Sequence, residues 1–321
     1  MSLNLKLPEI NKQIYRDDLN EILNNYFNEV ALDWWTHQLE WVNGAYKAYK
    51  DFDKFLIAIY LIKKNLDFYS KNFIKFSYDE FYSKNQIEIE RYSINEISKD
   101  LQMAKETTRR KILELEERGA IKRIQKKIIL DRSVFPIVRP EKQIKRTSKY
   151  LSKFADILIK HNILNEKVDS KYLDDYINKD FTYAWKLYYE MQIPIVLNWK
   201  KYFKDLETWN IWAICAINYA YKDVVKTQSS GSKNYLLNIF KHNIVGINAM
   251  TLSEISGIPR ATVVRKLKIL INKKFLTVDK KKLYKVTTYH SKDIAKHTQF
   301  GIDLMATFSV KMYNASIFKN S

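Results

Sequence analysis

The sequence predicts a mostly α-helical protein built as two tandem copies of one unit, each a helical bundle carrying a small sheet of two to three strands. Three observations lead there. Glycine (6) and proline (5) are scarce in 321 residues, which leaves few turns and favours long helices over a sandwich or a doubly wound sheet. The hydrophobic fraction, 46%, is enough to bury a real core. Finally, the chain repeats itself at a constant offset of 155 residues. Leu-Ile-Ala-Ile-Tyr-Leu-Ile at 56 to 62 falls on Ile-Trp-Ala-Ile-Cys-Ala-Ile at 211 to 217, and Thr107, Arg110, Lys111, Leu115 and Ile121 fall without a gap on Thr262, Arg265, Lys266, Leu270 and Leu276. An offset held over roughly seventy residues signals duplication.

Taken in order, residues 12 to 30 and 31 to 50 read as amphipathic helices, with Trp34, Trp35 and Trp41 on faces that a partner helix could cover. Such a cluster could line a pocket for a small-molecule effector, although aromatic core is its commoner use. Residues 52 to 65 are apolar on most sides and predict a central helix. Residues 66 to 91, rich in Tyr, Phe and Lys, predict a further helix or a surface insertion. Pro136 and Pro140 can continue neither a helix nor a central strand, so they mark a boundary. Helical periodicity resumes over 143 to 163, in a segment that closes the first unit and connects it to the second. The expected domains are residues 1 to 150 and 151 to 321.

Each unit contains a helix-turn-helix pattern followed by a hairpin. In the first, over 94 to 118, Ile97 and Leu101 lie one turn apart, Gln102 and Met103 make the turn, and Ile112, Leu113 and Leu115 form an apolar stripe on the second helix. The stripe must pack on its own domain. The opposite face, with Lys105, Glu106, Arg109 and Arg110, is then left to enter a major groove, and Thr108 is counted with it. Gly119 ends the helix, and residues 120 to 131 read as a two-stranded wing whose tip holds Lys126 and Lys127 beside the expected phosphates. In the second unit the pattern spans 251 to 273. Gly257 supplies the turn, Pro259 sits about where the first helical position should be, and Arg260, Thr262, Val264, Arg265 and Lys266 are the expected contacts. Its wing spans 275 to 288, with Lys280, Lys281 and Lys282 at the tip, and residues 291 to 318 predict a closing helix. This is a winged-helix pattern, twice.

Residues 104 to 112, Ala-Lys-Glu-Thr-Thr-Arg-Arg-Lys-Ile, resemble the start of the recognition helix in Crp/Fnr-type and MarR-type regulators. The resemblance implies that Lys105, Glu106 and Arg110 contact base pairs while Thr107 supports the helix. Residues 257 to 265 are similar to the Gly-Leu/Ile-Pro-x-Ala/Ser-Thr-Val-x-Arg segment of IclR-like regulators. The order helices, helix-turn-helix, wing, helix resembles a MarR-type subunit, in which the terminal helices build the dimer. Two such units in one chain would imitate that dimer covalently, as a monomer with internal pseudo-two-fold symmetry.

The net charge of +19, from 55 basic and 36 acidic side chains, points to a polyanionic partner. Its distribution sharpens the point. Residues 99 to 127 carry ten basic and five acidic groups, and residues 257 to 285 carry ten and one. Double-stranded DNA is the partner expected. The five histidines are scattered, a single cysteine makes no zinc site, and no phosphate-binding glycine loop or nucleophile elbow occurs, so neither enzyme, metal nor cofactor is expected. Cys215 lies in an apolar run as a buried thiol, which fits a reducing cytoplasm. No run approaches the ~20 apolar residues of a membrane span, and the first residues have no signal-peptide character. A transcription regulator is the leading expectation. The alternatives are a replication or plasmid-maintenance initiator with tandem winged helices, and a protein-interaction scaffold.

Overall fold

The computed structural model describes residues 13–89, 93–125, 127–134, 139–223 and 231–317. Among these the protein is mostly helical, with thirteen helices and two small antiparallel sheets.

The first helix among the described residues is α1, Arg16–Tyr49, a single helix where two were expected. The expected break survives as a kink at Tyr26, whose backbone (φ −131°, ψ 31°) leaves the helical region. Lys50, in the left-handed region at φ 54°, ends α1. Asp51 then starts α2, Phe52–Lys71, by accepting a bond from the Lys54 amide at 3.0 Å. A short helix α3, Tyr78–Tyr82, leads into strand β1, Gln86–Ile89. Next come α4, Ile94–Asp100, and α5, Lys105–Glu117, then strands β2, Ile121–Ile124, and β3, Lys127–Asp131. The three strands pair antiparallel in the order β1, β3, β2, with Ile87 and Ile89 opposite Leu130 and Ile128. Helix α6, Glu141–Lys160, closes this half.

The second half repeats the plan. It runs α7, Ser170–Lys179; α8, Phe181–Phe203; α9, Leu206–Asp223; and α10, Ser232–Asn238. Then follow α11, Ala249–Ser256; α12, Arg260–Asn272; strands β4, Leu276–Val278, and β5, Tyr284–Val286; and α13, Ser291–Ile317. Shifted by 155, α5 lands on α12 residue for residue, and α2 on α9 within a few residues. The long helix α1 corresponds to α7 and α8 together, its kink at Tyr26 falling near the junction at Asp180. β1 has a reduced counterpart, a single bridge between Ile247 and Tyr284. Residue 150, the expected boundary between units, lies in the middle of α6.

The halves pack reciprocally. α2 lies against α8, and its counterpart α9 lies against α1; likewise α6 packs on α7 and α13 on α1. Contacts that exchange in this way define a closed, two-fold arrangement, since a head-to-tail repeat would not return them. Tyr150 donates to the Met305 sulfur, a residue 155 positions later, so equivalent side chains meet across the pseudo-axis. His37 and its equivalent Gln192 are both buried there, linked through Gln143 and Tyr188. A single hydrophobic cluster runs through both halves, which makes α1 and α8 the shared spine of one core. No helix among the described residues is long and apolar enough to cross a membrane. Cys215 is buried in α9, and burial pushes its thiol up to about 12.

Candidate nucleic-acid interface

The two helix pairs α4/α5 and α11/α12 turn in the same way, and the sequence accounts for it. At the first turn Gln102 adopts φ 51°, and Ser98 Oγ donates to the Met103 carbonyl at 2.7 Å. At the second, Gly257 adopts φ 72°, and Ser253 Oγ donates to the Ile258 carbonyl at 2.7 Å. The serine in each case satisfies a carbonyl that the turn removes from any helix. Ile97, Leu101, Ile112 and Leu115 bury the inner face of the first pair, and Leu252, Val263, Leu267 and Leu270 that of the second. The outer faces of α5 and α12 remain open.

On α5 that open face carries Lys105, Glu106, Arg109 and Arg110, all exposed. Arg109 pairs with Glu106 at 3.2 Å, and Arg110 lies 3.8 Å from Glu114. Exposed pairs of this kind contribute well under ~1 kcal/mol, so a phosphate or a base edge can replace them. On α12 Arg260 and Arg265 are exposed, while Thr262 and Val264 are half-buried. Neither helix has a side-chain cap: Ala104 and Pro259 occupy the capping positions, one residue before where Pro259 was expected to sit. The first amides of both helices are thus left without a side-chain acceptor, on the end of the dipole that favours anions.

Two expected contacts lie elsewhere. Thr108 is fully buried, and its hydroxyl donates to the Ala104 carbonyl at 3.1 Å, so it stiffens the helix start from inside. Its equivalent is Val263, also fully buried, which identifies the position as core. Lys266 points inward too: its ammonium sits 2.7 Å from Asp205, with only 11% of the side chain exposed. The equivalent Lys111 lies 2.8 Å from Asp51 and 3.0 Å from Glu114.

Sequence reading passed over these acidic partners. Asp51 and Asp205 each begin a helix by accepting a backbone amide, and each also binds the lysine of the helix packed above. Burial alone would lower the Lys111 pKa, but its bonds to Asp51 and Glu114 outweigh that and hold it above the ordinary value. Burial would raise Asp205, and Lys266 together with the Thr208 amide and hydroxyl brings it below the usual carboxylate range. The neighbouring Glu207 goes the other way: burial, with the Asp205 charge beside it, raises it to about 7. The repeat itself was the available signal, since it places two lysines at the same point of two helices.

The hairpins differ more than the helices. The first turns tightly through Gln125 at φ 55°; Lys126 lies outside the described residues. Lys127 is exposed but bonded to Glu88 of β1. In the second hairpin Asp279 accepts from the amides of Lys281 and Leu283, both at 2.9 Å, and thereby shapes a longer loop. Lys280, Lys281 and Lys282 all project from it into solvent. The segment 66 to 91, expected to be a helix or an insertion, supplies the end of α2 as far as Lys71, then α3 and the third strand β1, its last two residues lying outside the described ones. The alternation in Gln-Ile-Glu-Ile, 86 to 89, was its signal.

The sequence matches no protein-family model, and comparison with curated proteins and with solved structures finds no significant similarity.

Proposed function

We propose that the protein binds double-stranded DNA as a single-chain pseudo-dimer of two winged-helix units, with α5 and α12 as its recognition helices, and acts as a sequence-specific transcription regulator. The observation that carries this reading is the repeated outer face. Two helices of equal length, held by equivalent turns and uncapped at their N-termini, present exposed arginines at equivalent positions, Arg110 and Arg265, on a chain of net charge +19. An arginine there can fork to guanine O6 and N7 or clamp a phosphate. Thr108 and Lys266 drop out of the contact set, and the exposed residues named above remain in it.

The unlike character of the two faces also supports a second reading. A site read by two different heads has a direction, and a directional site suits a replication or plasmid-maintenance initiator as well as a promoter. An electrophoretic shift with random genomic duplexes at low salt tests the shared premise. Retarded complexes that dissolve steeply with added salt support DNA binding. A folded chain that retards no duplex at low salt refutes it and favours a protein-interaction scaffold.

A further inference from the structure

Between the halves lies a partly open cavity of about 70 Å³, walled by α1, α8, α9 and α13. One water needs ~10–15 Å³ by this kind of measure, so the enclosed part has room for several waters or, entered through its open side, for the edge of one planar ring system. Trp34, Trp199, Trp209 and Trp212 contribute to its wall, and none of the residues lining it is ionisable. One polar group stands out. Gln38 is 6% exposed, and neither its amide nitrogen nor its amide oxygen has a hydrogen-bond partner. The indole nitrogen of Trp212, also on the wall, is equally unpartnered. Leaving buried polar groups unbonded is costly, so the cavity calls for an occupant that supplies bonds.

The internal repeat isolates the feature. At the offset of 155 residues, Gln38 corresponds to Ile193, Trp212 to Ile57 and Ala216 to Leu61. All three equivalents are buried apolar side chains. The fold therefore accepts isoleucine where Gln38 stands and leucine where Ala216 stands, and neither the amide nor the gap is a requirement of the packing. We infer that this cavity is a binding site for a small, neutral, planar aromatic molecule bearing a cyclic amide. Its ring would lie among the tryptophans, and its N–H and C=O would pair with the carbonyl and the NH₂ of Gln38. A charged ligand would find no counter-ion on this wall.

Calorimetric titration of the full chain with 2-quinolinone tests the site, with naphthalene (the same shape without the amide) and 2-naphthoate (charged) as comparators. The expected result is one 2-quinolinone per chain, with naphthalene about tenfold weaker or more, the scale of one to two net hydrogen bonds. No heat is expected from 2-naphthoate. Gln38→Leu should reduce 2-quinolinone to the level of naphthalene and leave naphthalene unchanged. Ala216→Leu, which installs the side chain of the other half, should abolish binding of both with no loss of thermal stability. Should that variant fail to fold, Gln38→Leu decides alone. Equal affinity of the wild type for 2-quinolinone and naphthalene, undiminished 2-quinolinone binding in either folded variant, or no 2-quinolinone binding by the folded wild type would each overturn the inference. The outcome is independent of whether the protein binds DNA.

Discussion

At equivalent backbone positions the two halves hold the same turn and the same uncapped helix start, yet they fill the space around them differently. Beneath α5, Lys111 is shared between Asp51 and Glu114, Lys54 also reaches Glu114, and Phe52 is the buried residue that opens α2. Beneath α12, Lys266 pairs with Asp205, and Glu207 stands where the first half has Phe52. The first outer face mixes Lys105, Glu106, Arg109 and Arg110, whereas the second has Ala261 and Val264 at the places of Glu106 and Arg109. The two-fold plan survives because most core positions stay apolar and the turn serines, Ser98 and Ser253, are kept. Arg110 and Lys111 also recur as Arg265 and Lys266, whereas the polar residues around them have diverged, and those are where the halves should behave differently.

The largest effect expected is at the pseudo-axis. His37 is fully buried, accepts from Gln143 at 3.0 Å, and burial, followed by the nearby Arg146 charge, lowers it to about 3. Because the folded value lies below the unfolded one, near 6.5, its contribution is complete above that value and is lost as pH falls toward 3. At ~1.4 kcal/mol per unit, this amounts to something on the order of 5 kcal/mol. His37→Gln, which makes the position match Gln192, should remove that part of the acid sensitivity in denaturant titrations. Unchanged acid sensitivity in the variant would contradict the neutral, buried state of His37.

Breaking the lysine anchors should separate the halves next. Lys266→Met leaves Asp205 beside Glu207 without its cation and should cost roughly 2–4 kcal/mol, less than the ~3–5 kcal/mol of a fully buried pair because Asp205 is one-third exposed. Lys111→Met should cost less, because Lys54 remains on Glu114. Equal losses by chemical denaturation would reject the asymmetry. Glu207 adds a smaller term of opposite direction. Its folded pKa, raised from 4.5 to about 7, makes the charged form unfavourable, so stability should fall as pH rises from 4.5 through about 7, and Glu207→Gln should flatten that fall.

Much of this frame was legible in the sequence, and for a physical reason. Helix periodicity depends on which residues are apolar, and the offset of 155 on residues kept in both copies, such as Thr107 and Thr262, so α2, α5, α9, α12 and the two hairpins were legible in the sequence. The inward turn of Lys266 was not legible, because its partner Asp205 lies on another element and helical periodicity alone leaves a lysine facing solvent. Thr108 was misplaced for a similar reason: a small hydroxyl can occupy a core position once it bonds back to a helical carbonyl. Strand β1 was hidden by its length of four residues, and α1 hid its continuity behind the kink at Tyr26.

On DNA the contrasts should be smaller but separable. Substituting Arg110 with Ala should cost about 1–3 kcal/mol and relax one half-site if it reads a base, and Arg265→Ala should do so at the other. A uniform loss on all sequences would reassign that arginine to the backbone. The hairpins should differ in salt dependence. Neutralising Lys280, Lys281 and Lys282 should flatten the slope of log K against log salt by up to roughly 2–3 units, at about 0.9 per phosphate contact. Neutralising Lys127, already bonded to Glu88, should flatten it less. An equal or greater effect from the first hairpin on the same duplex would overturn this division.

The most direct measurement is the mass of the complex formed on duplexes selected from a random pool, read together with the selected sequence. A single-chain pseudo-dimer requires one chain per duplex and two unlike half-sites, centred one helical turn apart, ~10 bp, or a multiple of it. Two chains on a palindrome, or a selected site with one half only, would contradict it.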